Sequence, residues 1–238
     1  MARKIDLYGG ADPRNLPSYT VGTAAGYLRL PASTLRSWAL GATFTTARGK
    51  RRRTQALITP AGRDPLQLSF WNLVESQVLA CIRKVHGIKM NRVRRALDFI
   101  ERHLGQRRPL ISADFQTDGV TLFVEHLGEV VDVGTRGGPQ LVLQMISATL
   151  QRIERDEAGL AARIFPWVNH PEEPRFVVLD LLRSFGRPVV IGTRIPADAL
   201  AERFAGGESI ADLSRDFDLA HEVVEYAVRW GSRSVGVA

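Results

Sequence analysis

Apolar residues recur at intervals of three and four positions through most of the chain, which predicts a mainly α-helical protein. Near the start, this spacing predicts two short helices. One begins after the candidate N-cap residue Thr20, and the other is opened by Pro31. Such a pair is typical of a helix-turn-helix, and an ordinary helical hairpin in a structural domain fits the same pattern.

The next stretch predicts a β-hairpin with a strongly basic tip. Residues 42–46 and 55–59 are short and β-prone, and the segment between them carries five basic residues within 48–53. Crowding these cations costs stability, which a phosphate backbone would relieve by neutralising them. After a helix-turn-helix, such a hairpin is a wing; a solvated surface loop is the alternative. Two amphipathic helices, at about 69–86 and 89–104, are predicted to support it.

Residues 105–168 show a different pattern, which predicts a small α+β connecting unit. The stretches 109–115 and 120–125 are strand-like and flank a turn signal, and 129–133 is predicted to add a third short strand. A helix is predicted over about 139–162. Its apolar stripe is long enough to pack against a second copy, so we expect this β-hairpin and helix to mediate dimerisation.

The C-terminal part is the most distinctive segment of the chain. A short β-branched stretch at 189–191 is followed by Pro196, which opens a helix predicted over 197–205. Ser209, with an aspartate three residues later, forms a capping-box-like pair that opens a second helix. A third helix is predicted over about 219–230. Apolar positions on the three helices are spaced to share one small core.

This segment resembles the domain-of-unknown-function family 433. The family signature is a Gly-Thr-Arg-Ile/Val-Pro run, here at 192–196, then a Gly-Glu-Ser-Ile turn into a helix, here at 207–210, and then a third helix, here at 222–230. The family usually has a threonine before the third helix, where this chain has Ala220. That replacement would remove a cap worth about 1 kcal/mol unless Asp218 substitutes for it. Such domains occur in antitoxins of bacterial toxin–antitoxin pairs.

The region 19–104 resembles the winged-helix domain of the MerR class, most specifically at Ser-Thr-Leu-Arg-Ser-Trp in 33–38. The predicted fold is therefore mainly α. An N-terminal winged helix-turn-helix over 1–104 is followed by the small α+β unit over 105–168. A C-terminal three-helix, helix-turn-helix-like domain over 169–238 completes the chain.

The net charge of +7 hides an asymmetry along the chain. Residues 1–104 carry 18 Lys and Arg against 6 Asp and Glu, whereas residues 105–238 carry 14 against 19. A basic N-terminal half indicates an anionic partner, most simply nucleic acid. The acidic C-terminal half indicates a different partner.

Several classes of function are not expected. No apolar run is long enough to span a membrane, and the start lacks the apolar segment of a signal peptide, so we expect a cytoplasmic protein. The single Cys81 cannot form an internal disulfide and is predicted to lie in the core or at its boundary. The five histidines are scattered, without a catalytic or metal-binding motif. We therefore expect a binding protein rather than an enzyme, with no cofactor or metal.

The whole chain resembles the longer antitoxins of VapB type. That resemblance implies a protein that neutralises a cognate PIN-like ribonuclease toxin by direct binding and represses its own operon at operator DNA. It also implies a homodimer that forms a larger hetero-oligomer with the toxin. The alternative is a free-standing MerR-like transcriptional regulator whose C-terminal half senses a ligand or mediates oligomerisation.

The candidate DNA-binding residues follow from the winged-helix interpretation. If the second helix enters a major groove, its polar positions meet bases or flanking phosphates, and the wing contacts the backbone. These residues are Ser33, Thr34, Arg36 and Ser37 on the helix, and Arg48, Lys50, Arg51, Arg52 and Arg53 on the wing.

The candidate toxin-binding residues are arginines that could pair with the carboxylates of a PIN-type active site, as the resemblance implies. Arg233 lies in a C-terminal tail without periodicity, Arg229 lies just before it, and Trp230 is a candidate aromatic anchor. Simple disorder is the alternative for this tail. Arg194 competes as the inserted arginine, and its alternative role is to hold its own turn together through backbone carbonyls.

Overall fold

The computed structural model of the protein describes residues 10–45, 47–84, 90–105, 108–128, 138–181 and 183–232. Within these ranges the fold is mainly α, as predicted. The helices are α1 Val21–Leu28, α2 Ala32–Leu40, α3 Phe70–Lys84, α4 Met90–Leu104, α5 Val120–Gly128, α6 Gly138–Leu150, α7 Ala197–Ala205, α8 Ile210–Phe217 and α9 His221–Ser232. The strands are β1 Tyr19–Thr20, β2 Thr43–Thr45, β3 Arg51–Arg53, β4 Gly62–Arg63, β5 Leu66–Leu68, β6 Ile153–Arg155, β7 Ala161–Ile164, β8 Val177–Asp180 and β9 Pro188–Val190. They pair antiparallel in the orders β1-β5-β4, β2-β3 and β6-β7-β8-β9.

Helix α3 is the centre of the main hydrophobic core. Twelve of its residues are buried, among them Phe70, Leu73 and Val78. Helices α1 and α6 pack against it, and the same apolar cluster runs from Tyr19 to Leu179. The predicted N-terminal domain and the predicted connecting unit therefore share one core.

One side of helix α6 packs against other helices of the same chain. Val142, Ile146 and Leu150 are buried in the main cluster, where α6 packs against α3 and α5. The sequence predicts that an apolar stripe on this helix meets a second copy. From the predicted stripe, Leu150 is buried, Met145 is partly buried and Leu141 is 38% exposed. The stripe is therefore only partly covered within the chain, and dimerisation through it stays a prediction.

The two strands predicted at 109–115 and 120–125 are wrong, because the chain is helical there. Pro109–Ile111 forms a 3₁₀ turn, Phe115–Gly119 forms a π-helical turn, and α5 follows directly. The buried residues of α5 recur at helical spacing and include Val120, Phe123 and Val124. Packing of this face against α4 and α6 outweighs the β propensity of its valines and phenylalanine. The strand predicted at 129–133 lies outside the described residues.

The helix predicted over 139–162 ends at Leu150, and a β-hairpin of β6 and β7 follows. The Asp156 carboxylate accepts hydrogen bonds from the backbone N–H groups of Ala158 at 3.0 Å and Leu160 at 2.9 Å. An aspartate that bonds its own backbone a few residues ahead stabilises a turn. This turn interrupts the helical periodicity that the apolar residues alone indicate.

The segment 166–174 contains three prolines, which predict a short linker into the C-terminal module. Buried Arg152 fixes this segment. Arg152 is 1% exposed, and its guanidinium donates to five backbone carbonyls between Phe165 and Pro174, at 2.6 to 3.3 Å. Its donors satisfy carbonyl groups that have no strand partner. The segment is therefore part of the folded structure.

Glu173 ties the same segment to the C-terminal helix. Its carboxylate accepts from the N–H groups of Val168 and Asn169, both at 2.8 Å, and from the Tyr226 hydroxyl at 3.2 Å. Burial acts to raise the pKa of Glu173, but these hydrogen bonds prevail and lower it. Since Tyr226 belongs to α9, the carboxylate joins the predicted linker to the C-terminal module.

The C-terminal module has the three helices that the sequence predicts. The Ser209 hydroxyl caps α8 by accepting the Asp212 N–H at 3.1 Å, which confirms the predicted capping pair. Among the residues that the structure describes, Asp218 makes no capping hydrogen bond to the third helix. It ends α8 in the left-handed region, with φ of 52°, and α9 begins at His221.

Helices α7 and α9 pack closely at Gly231. A Cβ atom there would lie 2.5 Å from the Ala197 carbonyl oxygen and 2.6 Å from the Ala201 Cβ. Only glycine fits this contact without movement of the backbone. The core between these helices includes Leu200, Val224 and Trp230.

The C-terminal module also contacts the first helix of the N-terminal region. The Tyr19 hydroxyl donates to the Gly186 carbonyl oxygen at 3.2 Å. The Tyr27 ring lies 6.2 Å from the Trp230 ring, and the Arg29 guanidinium lies over the same indole at 4.6 Å. The two ends of the chain therefore share a buried junction.

Candidate nucleic-acid interface

Helices α1 and α2 form the predicted helix-turn-helix. The Thr20 hydroxyl caps α1 by accepting the Thr23 N–H at 3.1 Å. Helix α1 ends at Leu28, and the Arg29 that follows it adopts the left-handed conformation. Pro31 then precedes α2, and its carbonyl accepts the Thr34 N–H at 2.9 Å. Leu35 and Trp38 bury one side of α2, so its opposite side faces solvent.

The exposed side of α2 presents two of the four predicted DNA-contacting residues. Ser33 and Arg36 are exposed. Thr34 is 9% exposed, and its hydroxyl accepts from the Arg83 guanidinium at 2.5 Å. Ser37 is half-buried and donates to the Thr34 carbonyl at 2.9 Å. A direct DNA contact by Thr34 does not fit this geometry, because its side chain is turned toward α3.

The wing is joined to the last turn of α2. The Trp38 carbonyl accepts from the N–H groups of Leu57 and Ile58, at 2.7 and 3.2 Å. At the base of the hairpin, the Thr54 N–H donates to the Ala42 carbonyl at 2.8 Å, and the Ala42 N–H donates to the Thr54 hydroxyl at 2.9 Å. These bonds fix the direction of the wing relative to α2.

The basic residues lie in the second wing strand as well as in the turn. The sequence predicts that strand at 55–59, whereas β3 spans Arg51–Arg53 and pairs with β2. Cross-strand partners share a face, so Arg52 lies beside Phe44 while Arg51 and Arg53 lie on the other face. The five wing cations are all exposed: Arg48, Lys50, Arg51, Arg52 and Arg53. Arg53 also donates to the Leu40 carbonyl at 2.9 Å.

A buried polar cluster lies beside the segment that follows the wing. Asn72 donates to the Glu75 carboxylate at 2.9 Å and to the Thr59 carbonyl at 2.8 Å. The Arg108 Nε lies 3.4 Å from the same carboxylate. Burial raises the pKa of Glu75 to about 7, against the opposing effects of Arg108 and Asn72. Glu75, Arg94 and Arg108 line a cavity of about 180 Å³.

Sequence reasoning missed this cluster. Asn72 and Glu75 lie on a helix whose apolar stripe dominates the pattern, and Arg108 comes from a segment predicted to begin a different unit. No local motif indicates that these three meet.

The predicted toxin-contacting residues have different environments. Arg194 and Arg229 are exposed. Trp230 is 1% exposed and packs inside the chain, so in this conformation it is not available as a surface anchor. Arg233 lies outside the described residues.

Within the described ranges, Arg194 makes no hydrogen bond to the carbonyls of its own turn, which was the alternative role considered for it. The Thr193 hydroxyl holds the turn instead, by donating to the Val190 carbonyl at 2.9 Å and accepting the Ile195 N–H at 3.0 Å. Among the described residues, Arg194 has no hydrogen bond or ion pair. The exposed guanidinium is thus available for an outside partner.

Across the described ranges there is no group of three or more His, Cys, Asp or Glu side chains that could hold a metal ion. In the same part of the chain, no helix is both long and apolar enough to cross a membrane. Cys81 is buried, and burial raises the pKa of its thiol to about 11, as expected for a core cysteine.

The N-terminal and C-terminal parts of the chain match two different known families. Residues 17–97 match a family described as "Putative DNA-binding HTH domain". Residues 177–230 match "Protein of unknown function (DUF433)". The matches confirm the predicted helix-turn-helix and the predicted family 433 module. A crystal structure of Rv2018 from Mycobacterium tuberculosis has a TM-score of 0.63 at 24% identity, over 90% of this chain and 98% of that one, which shows a shared fold.

Two curated relatives come from Mycobacterium tuberculosis strain H37Rv. The "Uncharacterized protein Rv2308" is 26% identical over 208 residues, which cover 84% of this chain and 83% of that protein. The "Putative antitoxin VapB45" is 31% identical over 217 residues, which cover 83% of this chain and 88% of that protein. With this identity over nearly the full length of the relative, the chain belongs to the same family as VapB45.

Proposed function

We propose that this protein is an antitoxin that neutralises a cognate PIN-like ribonuclease toxin by direct binding and represses its own operon by binding operator DNA. The observation that carries the proposal is that an exposed basic wing beside a helix-turn-helix occurs in the same chain as an acidic C-terminal module. Residues 166–238 hold 8 Lys and Arg against 11 Asp and Glu, so the phosphate field would repel this module. The relationship to VapB45 supports a toxin as its partner.

On the DNA side, the proposal places α2 in a major groove and the wing on the phosphate backbone. The exposed Ser33 and Arg36 are suited to base or phosphate contacts, and the Ser37 hydroxyl is partly accessible. The wing cations supply the electrostatic part of the affinity. Two such units in a homodimer would read two half-sites of an operator.

On the toxin side, the proposal places an arginine in the carboxylate cluster of the nuclease. A guanidinium can pair with two carboxylate oxygens at once, which would block metal binding there. Arg194 and Arg229 are exposed candidates, and Arg233 is the candidate from the C-terminal tail. Arg229 lies 5.5 Å from the Tyr226 ring, which restricts its direction of approach.

Co-expression with the reading frame that neighbours this gene tests the proposal. We expect the two proteins to purify as one complex and the antitoxin to restore growth that the toxin alone arrests. A chain ending at Gly231 loses only the last residue of α9 and should still fold. If the tail inserts, this chain should lose neutralisation while retaining DNA binding. If the neighbouring product neither binds this protein nor arrests growth, the antitoxin proposal is wrong.

The second candidate is a free-standing transcriptional regulator that responds to a small ligand. The cavity of about 180 Å³ beside Glu75 favours it, since Arg94 and Arg108 there could bind an anionic group. In that case, operator affinity of the purified protein alone would change with a small molecule, and a Glu75→Gln variant would alter the response. An antitoxin without a sensing role predicts no such change.

A further inference from the structure

One aromatic side chain of the C-terminal module lies almost entirely in solvent. Phe185 is 87% exposed, whereas the other exposed large apolar residues, such as Ile191 and Phe204, are 45% and 43% exposed. Leaving a phenylalanine in water is unfavourable because its whole apolar surface remains hydrated. Large exposed aromatic residues are typical of surfaces that bind another protein.

The backbone that carries Phe185 is also unusual. Ser184 and Phe185 both have positive φ, of 50° and 54°, a region that non-glycine residues rarely occupy. Backbone strain of this kind persists where the surrounding structure imposes it and is often found at functional sites. The neighbouring Gly186 is fixed because its carbonyl accepts the Tyr19 hydroxyl at 3.2 Å. A Cβ on Gly186 would collide with that hydroxyl, so the chain passes tightly here.

Two exposed arginines lie beside this aromatic residue. Arg183, Phe185 and Arg194 line one open hollow of about 720 Å³, together with Ser184 and Thr193. Arg183 makes a long contact of 3.8 Å with Asp180, and its side chain is 49% exposed. Arg194 lies on the opposite turn and has no hydrogen bond or ion pair to the described residues. The hollow thus combines an apolar projection with two guanidinium groups.

We propose that Phe185, Arg183 and Arg194 form the docking surface for an acidic protein partner, with Phe185 as the aromatic anchor. This inference rests on the proposed function, and it identifies the partner as the toxin. The complementary surface would be an apolar pocket for the ring, bordered by carboxylates that pair with the guanidinium groups. Aromatic and arginine residues are the side chains most enriched among strong interface contacts.

Charge complementarity favours this occupant over the alternatives. If this surface bound the same surface of a second copy of the chain, the two arginines of each copy would face each other, and their like charges would repel. DNA would pair with the arginines but would leave the phenylalanine ring without an apolar pocket, and the surrounding module is acidic. A protein surface with an apolar pocket bordered by carboxylates would bury the ring and pair with both guanidinium groups.

The test measures binding of the full chain to the purified product of the neighbouring reading frame by titration calorimetry. Phe185→Ala should raise the dissociation constant by about 30-fold or more, the effect typical of an aromatic anchor. Phe185→Tyr should remain within about threefold of wild type, because it keeps the ring. The matched control is Phe204→Ala, which removes another exposed phenylalanine from the same module and should change the dissociation constant by less than about threefold.

Charge reversal provides the second arm. Arg194→Glu should weaken the complex strongly, whereas Arg215→Glu should have little effect, since Arg215 is a 73% exposed arginine on α8 outside the hollow. DNA binding should be unchanged in all five variants, and thermal unfolding should stay close to wild type, because the three positions in the hollow and on α8 are exposed and the surface ion pair of Arg215 with Asp212 contributes only about 0.2 to 1 kcal/mol.

The outcomes separate this inference from the proposed function. If wild type binds and Phe185→Ala binds equally well, the docking surface is wrong while the antitoxin proposal stands. If Phe185→Ala changes only the oligomeric state of the isolated chain, the surface serves self-association and the inference is overturned. If wild type does not bind at all, both proposals fail.

Discussion

The wing makes a quantitative prediction about the salt dependence of DNA binding. Each phosphate contact releases counterions, so the slope of log affinity against log salt changes by about 0.9 per contact. The five wing cations are exposed, and replacing all of them with alanine should reduce the slope by up to about 4.5. When the salt concentration rises from about 50 to about 200 mM, each phosphate contact that the protein makes should lower its DNA affinity by about 3.5-fold.

The strand register refines this prediction to single residues. Arg51 shares its face of β3 with Arg53, which reaches back to the Leu40 carbonyl at the end of α2. We take this face as the one that meets DNA lying along α2, because Arg53 on it bonds the end of that helix. We therefore expect Arg51→Ala to reduce the slope by about 0.9 and Arg52→Ala to reduce it much less, because Arg52 lies on the face with Phe44.

Fluorescence anisotropy with a labelled duplex from the promoter of this gene, measured at several salt concentrations, is the assay. Arg215→Ala is the control, since it removes an exposed cation from the acidic module and should leave the slope unchanged. An unchanged slope in the variant that lacks all five wing cations would refute the wing assignment. Equal effects of Arg51→Ala and Arg52→Ala would refute the proposed orientation alone.

Three further changes test other parts of the structure. Arg36→Ala should relax base discrimination in competition binding by about 1 to 3 kcal/mol if Arg36 contacts a guanine, and equal losses on all sequences would contradict base contact. Folding raises the pKa of Glu75 to about 7, so the folded state holds a proton that the unfolded state releases above about pH 4.5. The free energy of unfolding of wild type should therefore fall by about 3 kcal/mol relative to that of Glu75→Gln as the pH rises from about 4.5 to about 7, as measured by urea unfolding. Parallel pH profiles of the two proteins would exclude a raised pKa. Gly231→Ala should destabilise the fold by about 1 to 3 kcal/mol, since its Cβ would press on the Ala197 carbonyl, and an unchanged melting temperature would contradict that close contact.

Elements with local signals were predictable from the sequence. Thr20 and Ser209 cap helices through bonds to residues three positions ahead, so their signals lie within one turn. Pro31 and Pro196 likewise precede helices, as their fixed φ favours. The signatures of both end modules consist of such local features, which explains why their helices were found.

Elements that depend on distant contacts were not predictable. The stretch 120–125 is rich in β-branched and aromatic residues, and only its packing on α4 and α6 makes it helical. Thr34 occupies an expected DNA-facing position, but Arg83 bonds its hydroxyl from 49 residues away. The helical stripe past Leu150 was misleading because the turn at Asp156 is stabilised by its side chain.

At the candidate toxin site, too, local features were predictable from the sequence and tertiary features were not. The sequence identified Arg194 through its motif, but not its exposure or its position beside Phe185. Tryptophan is a common residue type among interface anchors, but Trp230 is covered by Tyr27 and Arg29 from the N-terminal part of the chain. Which aromatic residue is buried and which is exposed depends on the tertiary fold.

The central claim is that this protein inhibits a nuclease by direct contact. The most direct measurement titrates the purified full chain into the product of the neighbouring reading frame while cleavage of a labelled RNA is followed with divalent metal present. The antitoxin account predicts that cleavage falls to zero at a fixed molar ratio, and that Arg215→Glu inhibits as well as wild type. Cleavage that continues unchanged with the antitoxin candidate in excess would contradict the account.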